Sequence, residues 1–177
     1  MEYKSIYIEE TGTRIELTSF TAGDVTELHA MLHVDPRGDL FEAQLCRIAK
    51  AEGYLMATEE AKDAQPVFKR YFLSDAANQA PLITKSSQCA VSCIQQPPLD
   101  GSKIAVWLYL QKGTEVSHMD GSAIVSHNGY KHIWTMGLLN TSADTSYMQT
   151  WNTLLSYIDT LKLFSATLKE NGIRTWF

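Results

Sequence analysis

Residues 67–72, Val67-Phe68-Lys69-Arg70-Tyr71-Phe72, are echoed near the end of the chain by residues 172–177, Gly172-Ile173-Arg174-Thr175-Trp176-Phe177. Arg70 and Arg174 are therefore 174 − 70 = 104 residues apart. The aromatic and β-branched residues of the first stretch favour a strand, which Pro66 would start. We expect the second stretch to be the equivalent strand of a second copy.

Two further pairs share nearly the same offset. Gln44 and Gln149 are 149 − 44 = 105 residues apart, and residues 28–32 are echoed by residues 132–136. A fixed period of this length predicts two copies of one strand, helix, strand unit. The first copy continues past Phe72 to an apolar strand ending near residue 110, whereas the second is expected to be incomplete.

The first copy opens with a predicted β-hairpin. Its strands are residues 3–8 and 14–20, on either side of the Gly-bearing turn 10–13. Residues 26–34 alternate apolar and polar side chains, which predicts a half-buried strand and leaves a short helix possible. One face carries Thr26, Leu28, Ala30, Leu32 and Val34, and the other carries Glu27, His29, Met31 and His33.

A helix is predicted next. Asp39 followed by Glu42 resembles a capping box. The apolar spacing of Phe41, Leu45, Ile48 and Ala49 indicates a helix that ends near Gly53.

The rest of the first copy reads as strands and turns. Residues 67–73, 89–95 and 104–110 are predicted strands, and residues 74–81 are a loop or a single helical turn. Residues 97–101 contain two prolines and cannot continue a central strand. Residues 111–114 are the predicted domain boundary.

The second copy is predicted to open with strands at residues 123–125 and 129–139. The pair Asn128-Gly129 indicates a hairpin turn, because both central positions need a positive φ. A helix is predicted from Ser146 to Asn171, stopped by Gly172. We therefore expect one complete domain over residues 1–112 and the first part of a second over residues 113–177.

Composition limits the classes of function. The formal charge of −5 and the scattered Lys and Arg residues argue against nucleic-acid binding, which needs a clustered basic surface. No stretch predicts a membrane span or a signal peptide, so a cytoplasmic protein is expected. The chain has an odd number of cysteines, Cys46, Cys89 and Cys93. Their spacing does not fit a zinc site or a disulfide framework. No cofactor and no metal are expected.

At this point the chain resembles the YjgF/RidA superfamily, also called endoribonuclease L-PSP-like. The segments that carry the resemblance are residues 67–75, 89–110 and 147–155, and the tandem arrangement resembles the two-domain chorismatase-like relatives. The resemblance implies an α+β fold of the chorismate-mutase-like barrel type, a mixed β-sheet with helices on one face. It also implies association of subunits or tandem copies as a trimer or pseudo-trimer, with ligands in clefts between copies.

Two positions depart from that family. Imine-deaminating members carry an Arg in a Pro-Ala-Arg-Ser-like motif, and alignment with residues 89–93 places Val91 at the position of that Arg. The Glu that positions water falls at about Trp107. Valine cannot hold a carboxylate and tryptophan cannot position water as an acid does, so the first copy is expected to be silent in the deaminase reaction and no catalytic residue is assigned.

Five residues are candidates for ligand binding. Arg70 and Arg174 could bind an anion or simply face solvent. Asp75 and Asn78 follow a strand and could line a cleft or cap a turn. Cys93 could be a nucleophile or a small buried side chain.

Histidines and tryptophans give weaker signals. His29 and His33 could be ligands or part of a solvated strand face, and His118, Asp120, His127 and His132 lack fixed metal spacing. Trp134, Trp151 and Trp176 suit a core or interface better than a base-stacking platform, which would come with positive charge.

Two classes of function remain open from the sequence. The first is a non-catalytic YjgF/RidA-like domain of a two-domain protein, which packs against a further domain or other subunits and forms a cleft for a small carboxylated metabolite. The alternative is an imine deaminase or a chorismate-type hydrolase acting on such a metabolite. The substitution at Val91 favours the first class.

Overall fold

The computed structural model describes residues 1–83 and 89–175. The first part of the chain forms six strands, one long helix and one short helix. In chain order these are β1 (Glu2–Ile8), β2 (Thr13–Ala22), β3 (Val25–Val34), α1 (Phe41–Met56), β4 (Gln65–Leu73), α2 (Ala76–Gln79), β5 (Ala90–Gln95) and β6 (Ile104–Lys112). A 3₁₀ turn, Ala80–Leu82, follows α2.

The six strands form one mixed sheet in the order β1-β2-β3-β6-β4-β5. β4 and β5 run parallel, and the other neighbours are antiparallel. The mixed α+β class is therefore confirmed. The strand β6, last of the six in the chain, pairs with both β3 and β4 at the centre of the sheet.

One face of the sheet is covered by α1, and we call it the helix-covered face. The alternation predicted for β3 is confirmed, because Leu28, Leu32 and Val34 are buried on this face with Ile48 and Leu55 of α1. Burying apolar side chains contributes roughly 1.5–3 kcal/mol for each large one. The opposite face, here called the helix-free face, carries the alternate side chains of the same strands.

The start and end of α1 differ from the prediction. Asp39 does not cap the helix; Leu40 occupies the N-cap without a side-chain bond. The Asp39 carboxylate instead accepts hydrogen bonds from Arg47 and Gln44. Of the four apolar residues whose spacing indicated this helix, Phe41 and Ile48 are buried, Leu45 is partly buried and Ala49 is exposed.

Past Gly53, α1 continues for another turn. The helix ends at Met56, and Leu55 in its last turn is fully buried among the core side chains. Glycine weakens a helix by only about 1 kcal/mol, so burial of one leucine outweighs it.

A second, three-stranded antiparallel sheet follows. Its strands are β7 (Glu115–Met119), β8 (Ser122–His127) and β9 (Tyr130–Thr135). The predicted turn at Asn128-Gly129 is confirmed, with φ of 49° and 78°. The sequence prediction missed β7, although the turn Asp120-Gly121 has the same signature, with φ of 48° and 74°.

This small sheet packs on the helix-free face. Ala123 and Val125 of β8 are buried in a second apolar cluster with Phe68, Ala90 and Tyr109. Together the two sheets belong to a compact unit, Met1–Gly137.

The second compact unit is Leu138–Phe177. It contains α3 (Ser146–Leu163) and α4 (Leu168–Asn171). The prediction of one helix over residues 146–171 is wrong, because Ser165 takes a φ of 53° and breaks the helix. Within α3 most apolar side chains face solvent: Trp151 is 51% exposed and Leu155 is 46% exposed.

The order of elements recurs along the chain only in part. Three antiparallel strands and a helix occur twice, as β1-β2-β3-α1 and β7-β8-β9-α3. Gln44 and Gln149 are each the fourth residue of their helix, whereas Arg70 lies in β4 and Arg174 lies in an irregular segment after α4. The compact units divide after Gly137, and the division into copies 1–112 and 113–177 stays a prediction.

Candidate functional site

A row of polar and aromatic side chains crosses the helix-free face. It consists of Arg70 on β4, Trp107 and Tyr109 on β6, and Glu27 and His29 on β3. These residues reach one face because side chains alternate along a strand and because β6 lies between β3 and β4. We call this set the aromatic row.

Arg70 forms one end of the row. Its Nε donates a hydrogen bond to Ser92 Oγ at 3.3 Å, and its Cζ lies 5.7 Å from the centroid of the Trp107 ring. That distance allows a cation–π interaction. Burial lowers the pKa of Arg70 from its ordinary value. The guanidinium group of arginine is not deprotonated in proteins, so it provides a positive charge here.

His29 lies in the middle of the row. Trp107 Nε1 donates a hydrogen bond to His29 Nδ1 at 3.2 Å, and the His29 ring stacks on Tyr109 with 4.4 Å between centroids. Burial lowers the pKa of His29, and the charge of Glu27 opposes this shift. The indole hydrogen bond also needs an unprotonated Nδ1, so His29 is a neutral acceptor here.

Glu27 forms the other end. Its Oε1 accepts hydrogen bonds from the Tyr109 hydroxyl at 2.9 Å and from Gln111 Nε2 at 3.4 Å. Gln111 Nε2 also donates to the Tyr109 hydroxyl. Burial raises the pKa of Tyr109, which keeps this phenol a donor to the carboxylate.

The structure separates the five predicted ligand-binding residues. Asp75 accepts hydrogen bonds from the backbone N–H and the side-chain Nδ2 of Asn78, so this pair caps α2. The Asn78 hydrogen bond lowers the pKa of Asp75. Cys93 packs against the core cluster of the helix-covered face, and Arg174 belongs to the other compact unit. Of the five, Arg70 alone belongs to the aromatic row.

Two histidines pair with a carboxylate, but in the described part of the chain these pairs gather no third metal ligand. Within residues 1–83 and 89–175, no three His, Cys, Asp or Glu side chains are grouped closely enough to hold a metal ion. His33 lies 3.7 Å from Glu16, and His127 Nε2 lies 3.1 Å from Asp24 Oδ1.

The three tryptophans named as core or interface candidates have different surroundings. Trp134 is partly buried and packs against Phe68 and Tyr109 of the second apolar cluster, with ring centroids 5.4 and 5.5 Å apart. Trp151 is exposed on α3, and Trp176 lies outside the described residues.

Comparisons of the chain with protein-family models, with curated proteins and with solved structures find no match. In the part of the chain that the structure describes, none of the helices is both long and apolar enough to cross a bilayer. The geometry of the site therefore carries the functional argument.

Sequence reasoning missed most of the aromatic row. Glu27 and His29 were placed on one strand face, but their partners Tyr109 and Trp107 are about 80 residues away in the chain, with sequence separations of 82 and 78. The available signals were the alternation in residues 26–34 and the aromatic residues Trp107 and Tyr109, which are two positions apart. These signals could assign a face within each strand, but they could not reveal that β6 pairs with β3.

Proposed function

We propose that this chain is a non-catalytic YjgF/RidA-like domain of a cytoplasmic two-domain protein, which binds a small carboxylated metabolite at Arg70 and packs against other subunits or a further domain. The mixed sheet with α1 on one face is compatible with the chorismate-mutase-like arrangement that the resemblance implies. The recurrence of three strands and a helix is compatible with a tandem arrangement.

The position of Arg70 carries this proposal. Its guanidinium lies on the helix-free face, held from one side by Ser92 and from below by the Trp107 ring. A guanidinium fixed in this way can grip a carboxylate with two parallel hydrogen bonds. The Trp107 ring offers an apolar surface beside it for the body of the metabolite.

The positions of Val91 and Trp107 also support the expectation that this chain does not deaminate imines. Val91 packs against the core cluster of the helix-covered face, whereas Trp107 packs against the cluster on the helix-free face. The two positions aligned with the deaminase Arg and Glu thus point to opposite sides of the sheet. A substrate cannot contact both at once.

Binding of benzoate tests the proposal, with benzamide as its neutral analogue. We expect benzoate to bind more tightly than benzamide, and Arg70→Gln to weaken benzoate binding roughly tenfold or more, because a charge-assisted contact is worth about 1.5–3 kcal/mol. Arg70→Lys should recover only part of the loss, since an ammonium lacks the planar fork.

Arg14→Gln is the matched control. Arg14 lies on the same face of the sheet, is half exposed and pairs with Glu16 at 3.3 Å. Its replacement by Gln removes one positive charge, as Arg70→Gln does. Equal weakening by Arg70→Gln and Arg14→Gln would indicate unspecific attraction and contradict the proposal.

An imine assay tests the non-catalytic part. An amino-acid oxidase generates the imine, and the conversion to ketoacid is followed with and without the chain. We expect no acceleration. An acceleration that disappears on Cys93→Ala or Arg70→Ala would establish the alternative, an imine deaminase.

A further inference from the structure

A pocket opens at the Glu27 end of the aromatic row, with a volume of about 300 Å³. This is within the lower range of small-molecule sites. Its three walls are the β2–β3 hairpin end, the β6–β7 connection and the β8–β9 hairpin end, all in the compact unit Met1–Gly137. The Glu27 pocket is lined by Phe20, Ala22, Val25, Glu27, Gln111, Thr114, Val125, His127, Asn128, Tyr130 and His132.

Of the described residues that line the pocket, Glu27 is the one acidic side chain and none is Lys or Arg. Among residues 1–83 and 89–175, no Lys, Arg or His forms a salt bridge with Glu27. The hydrogen bonds from Tyr109 and Gln111 are both accepted by the same carboxylate oxygen, Oε1. Tyr109 and Gln111 therefore fix the carboxylate from one side. A carboxylate held in place by its neighbours loses little freedom when it gains a ligand.

The other lining groups suit the body of an organic cation. Phe20 and Tyr130 line the pocket and are about half exposed, 48% and 52%. Aromatic rings of this kind attract cations to their faces. Thr114 Oγ1 is buried, and within the described part of the chain it has no hydrogen-bond partner. A buried hydroxyl without a partner costs free energy, which a ligand hydrogen bond would recover.

We propose that the Glu27 pocket binds a small organic cation, an ammonium group carried on an aromatic or aliphatic body. The ammonium pairs with Glu27, the body lies against Phe20 and Tyr130, and Thr114 accepts or donates one hydrogen bond. This site is separate from the carboxylate site at Arg70, and it does not depend on the proposed function. A metal ion fits less well, because the pocket offers one carboxylate and the two histidines do not converge on it.

The probe is 2-phenylethylamine, titrated into the full chain and followed by ligand-observed NMR at about pH 8, above the range in which histidines ordinarily gain a proton. Neutral 2-phenylethanol and anionic 3-phenylpropanoate are the matched probes. We expect the amine to bind roughly tenfold more tightly than the alcohol, and the anion to bind least.

Glu27→Gln should abolish the preference for the amine over the alcohol while keeping an oxygen acceptor for Tyr109 and Gln111. Thermal unfolding checks that this variant folds. Ala22→Lys is the second variant: Ala22 is exposed in the pocket wall, so a lysine there is tolerated and competes with the ligand for Glu27. We expect it to weaken amine binding by a similar factor.

Arg70→Gln should leave amine binding unchanged, and this separates the present proposal from the benzoate test. Equal affinity of the folded chain for amine and alcohol would overturn the proposal. Amine binding that survives both Glu27→Gln and Ala22→Lys, or no saturable amine binding at all, would overturn it too.

Discussion

Gln44 shows how one polar side chain connects distant parts of the fold. It is only 2% exposed, its Oε1 accepts a hydrogen bond from the Lys103 backbone N–H at 2.7 Å, and its Nε2 donates to Asp39 at 3.0 Å. The first turn of α1 is thereby tied to the start of β6. The sequence marked Gln44 only through its likeness to Gln149, because a partner 59 residues away leaves no local pattern.

Replacing Gln44 by leucine removes the acceptor of a backbone N–H. We expect Gln44→Leu to lower the free energy of unfolding by about 1–3 kcal/mol, the cost of a buried donor left without a partner. Gln149→Leu is the matched change, since Gln149 is half-buried and its side chain donates a local hydrogen bond, 2.8 Å to Ala143 O. Its expected effect is within about 0.5 kcal/mol. Urea denaturation followed by circular dichroism measures both, and equal losses would contradict this account.

His29 predicts a pH dependence of stability. Burial lowers its pKa in the folded state below the ordinary value of 6.5, so the folded chain binds fewer protons than the unfolded chain once the pH falls. The stabilisation is fully present above about pH 6.5 and is lost as the pH falls toward and through the folded pKa. His29→Gln should flatten this part of the stability curve, and NMR titration of the His29 ring should give a pKa below 6.5. A titration at or above the ordinary value would contradict the assigned burial.

Strands were easier to predict than helix ends. Alternation in residues 26–34 gave β3 and its buried face, and Asn128-Gly129 gave the β8–β9 hairpin. The start of α1 was missed because Asp39 binds Arg47 and Gln44, contacts that a capping pattern does not reveal. Its end was missed because the burial of Leu55, which lies beyond Gly53, depends on the assembled core. The break in α3 was missed because Ser165, an ordinary polar residue, takes a positive φ.

The helices α1 and α3 should respond differently to charge. Ile48 of α1 is 2% exposed in the main core, so Ile48→Lys is expected to cost several kcal/mol or prevent folding. Leu155 of α3 is 46% exposed, and Leu155→Lys should leave the thermal unfolding of the β-rich unit unchanged. Differential scanning fluorimetry compares the two. A large loss of stability in Leu155→Lys would show that α3 is buried in solution.

At the scale of the whole molecule, the α+β class followed from the sequence, but the strand order did not. Local patterns define strands, and only long-range pairing places β6 between β3 and β4. The same limit applied to the candidate site, whose residues come together through long-range strand pairing. Arg70 was selected from the sequence of its own strand. Ser92 and Trp107 come to lie beside Arg70 only once the sheet is assembled, and His29 joins them through its hydrogen bond with Trp107.

The exposed apolar side of α3 predicts self-association. Trp151, Leu155 and Ile158 are each at least 39% exposed, and a contiguous apolar surface favours contact with another protein surface. We expect sedimentation velocity to show a concentration-dependent oligomer, and Trp151→Lys combined with Leu155→Lys to shift it toward the monomer. A monodisperse wild-type monomer at low concentration that binds no hydrophobic dye would count against this prediction.

The central position of β6 has a consequence for how the chain acquires its structure during synthesis. β3 and β4 both need β6 between them, and pairs such as Leu32 with Val106 join residues 106 − 32 = 74 apart. Until residue 112 has left the ribosome, these two strands have unpaired edges and uncovered valine and leucine side chains. Closing such long loops is slow, so the nascent chain passes through a period in which it is prone to aggregate, and refolding from denaturant should be slow and lose yield as protein concentration rises.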